Sequence, residues 1–305
     1  MTILVTGATG FVGQALVARL RARSCREPVR LLDRVEPPRI DDERFTALAG
    51  DLLDPPVVTA ALAGVDTVIH LASVPGAAAE ADPLLARRVN IDATLGLLEQ
   101  IDAGKRPVRF VYASSIAVFG SLPGHVDDAT AALPAMVYGA QKRMMELALA
   151  DFHRRGRVRG IALRLPGVVA RPSGASGLKS AFMSEIFHAA ANGDACVLPV
   201  SRAATAWMMS GNCAAGNLLY AATLGDVSGQ ALTLPAVRVR MGDLADLLFG
   251  ERSPDVRFEP DAALETAFGS YPPLSTPAAE ALGFRHDGDL AALADTVLAD
   301  VLDHG

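Results

Sequence analysis

Along the chain, short apolar runs alternate with longer stretches in which apolar residues return every three or four positions. Residues 3–5, 29–33, 45–48, 66–72 and 108–112 are runs of the first kind and read as strands, most of them buried on both faces. After the first run, Ala15, Leu16, Ala18 and Leu20 put apolar side chains on one face of a helix spanning about 14–23. A further helix begins near Pro83, and another opens at Tyr138 and reaches about His153. Strand and helix in alternation predict an α/β fold built on a doubly wound parallel sheet.

The pattern changes after the middle of the chain. Residues 203–224 carry no charge and are long enough to span a membrane, but Ser210, Gly211, Asn212, Gly216 and Asn217 interrupt them with polar groups and glycine. The stretch reads as a strand followed by a buried helix. A short strand is expected at 231–234, a helix at 242–249, and a closing helix where Leu290, Leu293, Val297 and Val301 recur. The pairs Pro37-Pro38, Pro55-Pro56 and Pro272-Pro273 mark loops.

Composition narrows the function. A chain of 305 residues, half of them apolar, fits one large α/β unit or two unequal lobes. The net charge of -6 is interspersed, with no basic stripe for nucleic acid and no polybasic anchor for a membrane, so a small-molecule ligand is expected. The first strand begins at residue 3 and leaves no room for a signal segment, which points to the cytoplasm. Cys25, Cys196 and Cys213 share no metal spacing and read as separate reduced thiols; the six histidines are scattered, and no metal is expected.

Between the first strand and the first helix stand Gly7, Gly10 and Gly13. Glycines at this spacing let the chain turn, bring a pyrophosphate against bare main chain, and let the helix pack close to the sheet. The N–H groups of the helix's first turn, at Phe11, Val12 and Gly13, would face the phosphates. Asp33 ends the second strand twenty residues past Gly13, where a carboxylate accepts ribose hydroxyls and repels a 2′-phosphate. NAD is therefore expected over NADP, although Arg34 beside it is a group that can accommodate that phosphate. Asp51 either bonds the adenine amino group or caps the helix that follows. The carboxyl end of the fourth strand should lie over the cofactor, while His70 within it reads as a packed residue.

The reactive groups lie further on. Asn90 sits on an otherwise apolar helix face, as a satisfied core amide or as part of a proton relay. The fifth strand delivers Ser114 and Ser115; twenty-three residues beyond Ser115 comes Tyr138, with Lys142 one helical turn away on the same face. A phenol has an ordinary pKa of about 10, but an adjacent ammonium and an oxidised nicotinamide both favour the phenolate. Tyr138 can then take a hydroxyl proton while hydride leaves carbon, with Ser115 bonded to the substrate oxygen and Lys142 also holding the nicotinamide ribose. A tyrosine and lysine four apart are ordinarily surface residues; the serine and the glycine turn on the same chain give the pair its meaning.

The set TGATGFVG, Asp33, Gly50-Asp51-Leu52, His70-Leu71-Ala72, Asn90-Ile91-Asp92-Ala93-Thr94, the run from Ser114 to Gly120, and Tyr138-Gly-Ala-Gln-Lys142 resembles the extended short-chain dehydrogenase/reductase superfamily. The resemblance implies a Rossmann sheet of about seven parallel strands with a small carboxyl-terminal α/β lobe: 1–166 plus about 203–236 for the cofactor, and about 167–202 plus 237–305 for the substrate. It assigns catalysis to Ser115, Tyr138 and Lys142, with Asn90 as the family's helix asparagine. Its cofactor contacts extend to Leu52, Leu71, Ala72, Ser73, Pro166 and Val168, and its substrate contacts include Ser73, Ser115, Tyr138 and Trp207. It also implies a homodimer through the helix bearing the tyrosine.

Two departures narrow the substrate. Where nucleotide-sugar enzymes of this superfamily have asparagine after the sixth strand's arginine, this chain has Arg164-Leu165-Pro166-Gly167, and where they carry Arg-Asp before an aromatic residue it has Thr205-Ala206-Trp207. Both missing groups serve a diphosphate. Ile116-Ala117 replace the Asp-Glu pair of the dehydratases. The remaining motifs resemble the branch of NAD-dependent D-erythronate dehydrogenases and related four-carbon sugar-acid oxidoreductases, which implies oxidation of a 2-hydroxy acid to the 2-keto acid. A guanidinium would grip such a carboxylate with two parallel bonds: Arg171 is the first candidate, Lys179 and Arg202 the next. Two alternatives stand beside this reading, a UDP-hexose 4-epimerase and a regulator that binds dinucleotide without turnover.

Overall fold

The computed structural model describes residues 1–24, 26–104, 106–172, 180–225 and 229–304. The chain opens with β1 (Ile3–Thr6), α1 (Phe11–Ala22), β2 (Val29–Asp33), β3 (Phe45–Ala49), α2 (Pro55–Leu62) and β4 (Thr67–His70). Then come α3 (Gly76–Ala81), α4 (Pro83–Arg87), a π-helical turn at Arg88–Ala93, α5 (Thr94–Asp102) and β5 (Val108–Ser115). The 3-10 turn Ile116–Val118, α6 (Val137–Arg155), β6 (Val158–Leu165), β7 (Gly167–Val169), α7 (Phe182–Asn192) and β8 (Cys196–Leu198) follow. The remainder holds β9 (Thr205–Ser210), α8 (Gly211–Thr223), β10 (Ala231–Thr233), β11 (Val237–Arg240) and α9 (Met241–Phe249). Past a 3-10 turn, β12 (Val256–Phe258), α10 (Ala262–Phe268), α11 (Pro277–Ala281) and α12 (Leu290–His304) end the chain.

Seven strands form one sheet in the order β10-β6-β5-β4-β1-β2-β3. Every pairing in it is parallel, including β2 with β3, which follow one another without a helix between them. The strand order reverses between β1 and β4, which opens a crevice at the carboxyl ends of the strands on either side. One face of the sheet is sealed by Leu4, Val68, Phe110 and Tyr112 against Leu97, Leu98 and Ile101 of α5 and Met145, Leu149 and Phe152 of α6. Burial of large apolar side chains of this kind contributes about 1.5–3 kcal/mol each.

The chain divides into two compact units, one of 1–120, 131–165 and 215–233, the other of 121–130, 166–214 and 234–305. The second unit holds a three-stranded sheet, β11-β9-β7, and a parallel pair, β12-β8. Its core joins Phe182, Ile186 and Phe187 of α7 to Met208, Leu244, Leu293 and Val297. These boundaries differ from those read in the sequence. Strand β9 pairs with β7 and β11, which draws 203–214 into the second unit, and 121–130 joins it because Val126 N donates to Pro273 O at 3.0 Å and Ala278 N to Asp128 Oδ2 at 2.9 Å.

Smaller differences have local causes. The first helix begins at Phe11, where Gln14 N already donates to Gly10 O at 2.8 Å. Strand β4 stops at His70, although Leu71 N still reaches Thr6 O at 3.0 Å, and β5 runs on through Ser115 because β6 stays paired with it to Leu165. Residues 203–224 form β9 and α8, and no helix among the described residues is long and apolar enough to cross a membrane. Cys196 and Cys213 are not disulfide-bonded; Cys25 lies outside the described residues.

Candidate active site

The glycine turn follows β1. Gly7 adopts φ 74°, and a Cβ there would stand 2.6 Å from Ala72 N, so the turn lies flush against Leu71 and Ala72 just past β4. Gly10 is exposed at the N-cap of α1, which has no side-chain cap to take up the first-turn N–H groups of Phe11, Val12 and Gly13, and such a helix start suits an anion. Asp33 closes in from β2: Oδ2 accepts from Thr9 N at 3.0 Å and Thr9 Oγ1 at 2.7 Å, and Oδ1 from Arg34 N at 2.7 Å. A carboxylate has lone pairs beyond these three bonds, so it can still accept ribose hydroxyls, while Arg34 is exposed at the strand end. This combination of bare turn, uncapped helix and adjacent carboxylate fits a dinucleotide.

Asp51 is exposed, and its Oδ1 accepts from Leu53 N at 2.9 Å; the helix-capping alternative is absent, because Asp54 stands at the N-cap of α2 with no side-chain bond. Leu52 packs against the core cluster of the sheet, and Ser73 is partly buried one residue past Ala72.

The same unit assembles the reactive groups. Ser115 ends β5, and its Oγ accepts from Ala117 N at 3.1 Å, leaving the hydroxyl hydrogen to donate. Tyr138 lies in the first turn of α6 and is partly buried. Gly139 beside it has no room for a side chain: a Cβ would stand 1.9 Å from Ala117 O, so α6 presses directly onto the backbone that follows Ser115. Lys142 is buried, with Nζ donating to Ala113 O at 2.7 Å and standing 4.7 Å from the Tyr112 ring centroid and 5.4 Å from that of Tyr138. Burial pulls its pKa down to about 7, and the Glu146 carboxylate opposes that pull.

Asn90 lies in the π-helical turn, an irregularity common at functional sites. Both ends of its amide are engaged: Oδ1 accepts from Val74 N at 2.7 Å, and Nδ2 donates to Val74 O at 3.0 Å and to Gln141 Oε1 at 2.7 Å. The side chain thus ties the loop after β4 to the residue preceding Lys142. His70 is packed, as its place in an apolar run suggested. Thr94 Oγ1 donates to Asn90 O at 3.0 Å and so accepts from His70 Nε2 at 3.0 Å, which leaves Nδ1 to accept from Thr6 Oγ1 at 2.7 Å. Burial drives the imidazole pKa down to about 3.

Sequence reasoning gave no role to Thr9, Gln141 and Gly139, although they lie in the motifs quoted above, and it did not single out Glu146. A signal existed for the last, an acid one turn beyond Lys142 on the inward face of the helix.

The second unit holds the other candidates. Pro166 and Val168 are buried. Arg171 is partly buried, its N–H donating to Ser184 Oγ at 3.0 Å and its carbonyl accepting from His188 Nε2 at 2.7 Å. Trp207 is 1% exposed, with Nε1 donating to Pro272 O at 2.8 Å and its ring edge-on to Tyr271 at 4.9 Å. Arg202 pairs with Asp246 at 2.6 Å on the surface. Lys179 lies outside the described residues.

D-erythronate dehydrogenase of Cupriavidus necator is 37% identical over 308 residues, covering 94% of each chain. The D-erythronate dehydrogenase of Haemophilus influenzae is 32% identical over 303 residues, covering 95% of this chain and 96% of its own. The crystal structure of a nucleoside-diphosphate-sugar epimerase from Agrobacterium tumefaciens superposes with a TM-score of 0.91 at 28% identity, over 100% of this chain and 95% of that one. Residues 3–229 match the profile of a single family. The chain belongs to the NAD dependent epimerase/dehydratase family, and its cofactor is a nicotinamide dinucleotide.

Proposed function

We propose that this protein is a dehydrogenase that oxidises the 2-hydroxyl of D-erythronate, or of a similar four-carbon sugar acid, to the 2-keto acid with NAD. One observation carries the chemistry: Lys142 Nζ stands 5.4 Å from the Tyr138 ring at the end of the strand that delivers Ser115. The ammonium favours the phenolate, so Tyr138 takes the substrate's hydroxyl proton, and Ser115 Oγ donates to the same oxygen and holds it in place. A bound nicotinamide would supply the acceptor for the hydride from carbon 2. Asn90 acts as a positioning group through Val74 and Gln141.

Asp33 supports NAD over NADP, because its carboxylate repels a 2′-phosphate at the place where it accepts ribose hydroxyls. Phe11, Val12 and Gly13 would hold the pyrophosphate, and Leu71, Ala72 and Ser73 would line the cofactor. Arg171 is the proposed partner of the substrate carboxylate, by a two-bond grip. Trp207 contributes through the loop it anchors at Pro272. The likeness to the two D-erythronate dehydrogenases supports the substrate. We place the enzyme in the cytoplasm, on the reading of its cysteines as reduced thiols. Met144 and Leu147, both exposed on α6, suit a homodimer through that helix.

The test is NADH formation at mildly alkaline pH with NAD and a panel of D- and L-four-carbon acids, beside UDP-glucose and UDP-galactose. Turnover of D-erythronate is the expected result. Interconversion of the nucleotide sugars, with every acid silent, would favour the epimerase reading instead, to which the Agrobacterium tumefaciens structure lends its likeness.

A further inference from the structure

One turn beyond Lys142 lies a buried carboxylate that the proposed chemistry does not use. Glu146 shares the inward face of α6 with Lys142, and its side chain is 1% exposed. Oε1 accepts from Ser114 Oγ at 2.6 Å and from Arg164 Nε at 2.9 Å; Oε2 accepts from Arg164 Nη2 at 2.9 Å and from Arg143 Nη1 at 3.0 Å. The Arg164 fork is the two-bond geometry that holds a carboxylate in one orientation. Both members of the pair are pinned to the same strand end. Ala113 O receives Lys142 Nζ, Ser114 Oγ holds Glu146, and Ser115 comes next.

The charged and titratable groups around Lys142 come from several elements. β4 presents His70, β5 presents Tyr112, β6 presents Arg164, and α6 itself carries Tyr138 and Arg143. Glu80 of α3 is engaged at the start of α6, where it accepts from Val137 N at 2.6 Å, and the π turn and α5 contribute Asn90 and Thr94, which do not titrate. Among the described residues Glu146 is the one buried acid. A buried ammonium loses hydration, and a fixed negative charge nearby is what restores its charged form. The two tyrosine rings flanking Nζ act in the same direction.

We propose that Glu146 is a positioning residue for the reaction, its carboxylate clamped by Arg164 to serve as the fixed counter-charge that favours the ammonium form of Lys142 beside Tyr138. This rests on the proposed role of Lys142 in activating Tyr138. Burial disfavours the ammonium and the carboxylate opposes that effect, so removing the carboxylate would let Lys142 lose its proton at a lower pH still.

The chain makes the test direct, because it has three lysines, Lys105, Lys142 and Lys179. With lysine labelled by carbon-13 at Cε, the full-length protein gives three signals whose titration is followed by NMR, and Lys142→Arg identifies the one of interest. In Glu146→Gln, which keeps the shape and removes the charge, the Lys142 midpoint should fall by about one pH unit or more, at least tenfold in its ionisation constant. Ser114→Ala removes a hydrogen bond but no charge and should leave the midpoint in place; a merely structural network would move it in both variants. Should Glu146→Gln fail to fold with Arg164 left unpaired, Arg164→Gln keeps the carboxylate, still held by Ser114 and Arg143, removes the opposing positive charge and should raise the midpoint instead. A folded variant of either kind that keeps the wild-type midpoint overturns the proposal. The titration needs neither NAD nor substrate, so failure to turn over D-erythronate would count against the enzyme reading alone.

Discussion

The two compact units differ in how they hold their polar residues. In the first, the candidate groups stand at strand ends and helix starts: Asp33 at the end of β2, Ser115 at the end of β5, Tyr138 in the first turn of α6. Their spacing follows from the parallel sheet itself, where every strand must end at the same edge and every helix begin there. In the second, Arg171 follows a short strand and is held by Ser184 and His188, thirteen and seventeen residues further on, and Trp207 is fixed by Pro272, sixty-five residues away. Groups at the ends of a regular parallel sheet are placed by its topology, whereas the groups of the second unit are held by partners far along the chain. On the proposed function, turnover belongs to the first unit and substrate choice to the second.

Four changes test that division, taken from the largest expected effect downward. Tyr138→Phe should cut kcat by about 10³-fold while leaving NAD affinity near wild type, as loss of a general base does. Initial rates and a NAD titration check it, and a variant that lost NAD binding as well would make Tyr138 a structural part of the cradle.

His70 governs stability in the first unit. Its folded pKa of about 3 lies below the ordinary value of 6.5, so between those limits the unfolded chain holds a proton that the folded chain refuses. The contribution is complete above about pH 6.5 and drains away as pH falls toward 3, a loss on the order of several kcal/mol. Urea midpoints at pH 7, 5 and 4 should fall in that order, and His70→Gln should flatten the series. An equally steep series in the variant would remove His70 from the explanation.

In the second unit, Trp207→Phe strips Pro272 O of its donor and should cost about 2 kcal/mol of stability. Calorimetry measures that cost, and kcat should stay within a few-fold of wild type. Arg171→Ala should raise KM for an acid substrate about tenfold, with kcat little changed. An equal rise for a neutral polyol would mean that Arg171 does not grip the carboxylate, and a large fall in kcat would erase the proposed separation of chemistry from recognition.

The difference between the units also explains what the amino-acid pattern disclosed. Strands β1, β2 and β5, the glycine turn and α6 were legible because buried parallel strands are continuous apolar runs and a helix with Tyr138 and Lys142 on one face has a fixed period. The π turn at Arg88–Ala93 was not, since it arises from how Asn90 bonds Val74 and Gln141, partners set by tertiary packing. The Glu146–Arg164 pair was hidden for a related reason: it joins α6 to β6 across eighteen residues, and no local period encodes that approach. Strand β9 was anticipated as a strand and grouped with the cofactor unit; its pairing with β7 and β11 was not legible, because an apolar run states that it is buried and is silent on its neighbours.

The central claim is hydride transfer from carbon 2 of a four-carbon sugar acid to NAD. It is tested most directly with D-erythronate carrying deuterium at carbon 2, by mass spectrometry of the reduced cofactor and the product. The account predicts one deuterium in the NADH formed, none in the 2-keto acid, and no transfer with Tyr138→Phe on the same timescale. NADH formed without deuterium, or deuterium retained in a rearranged sugar with no net reduction of NAD, would contradict it.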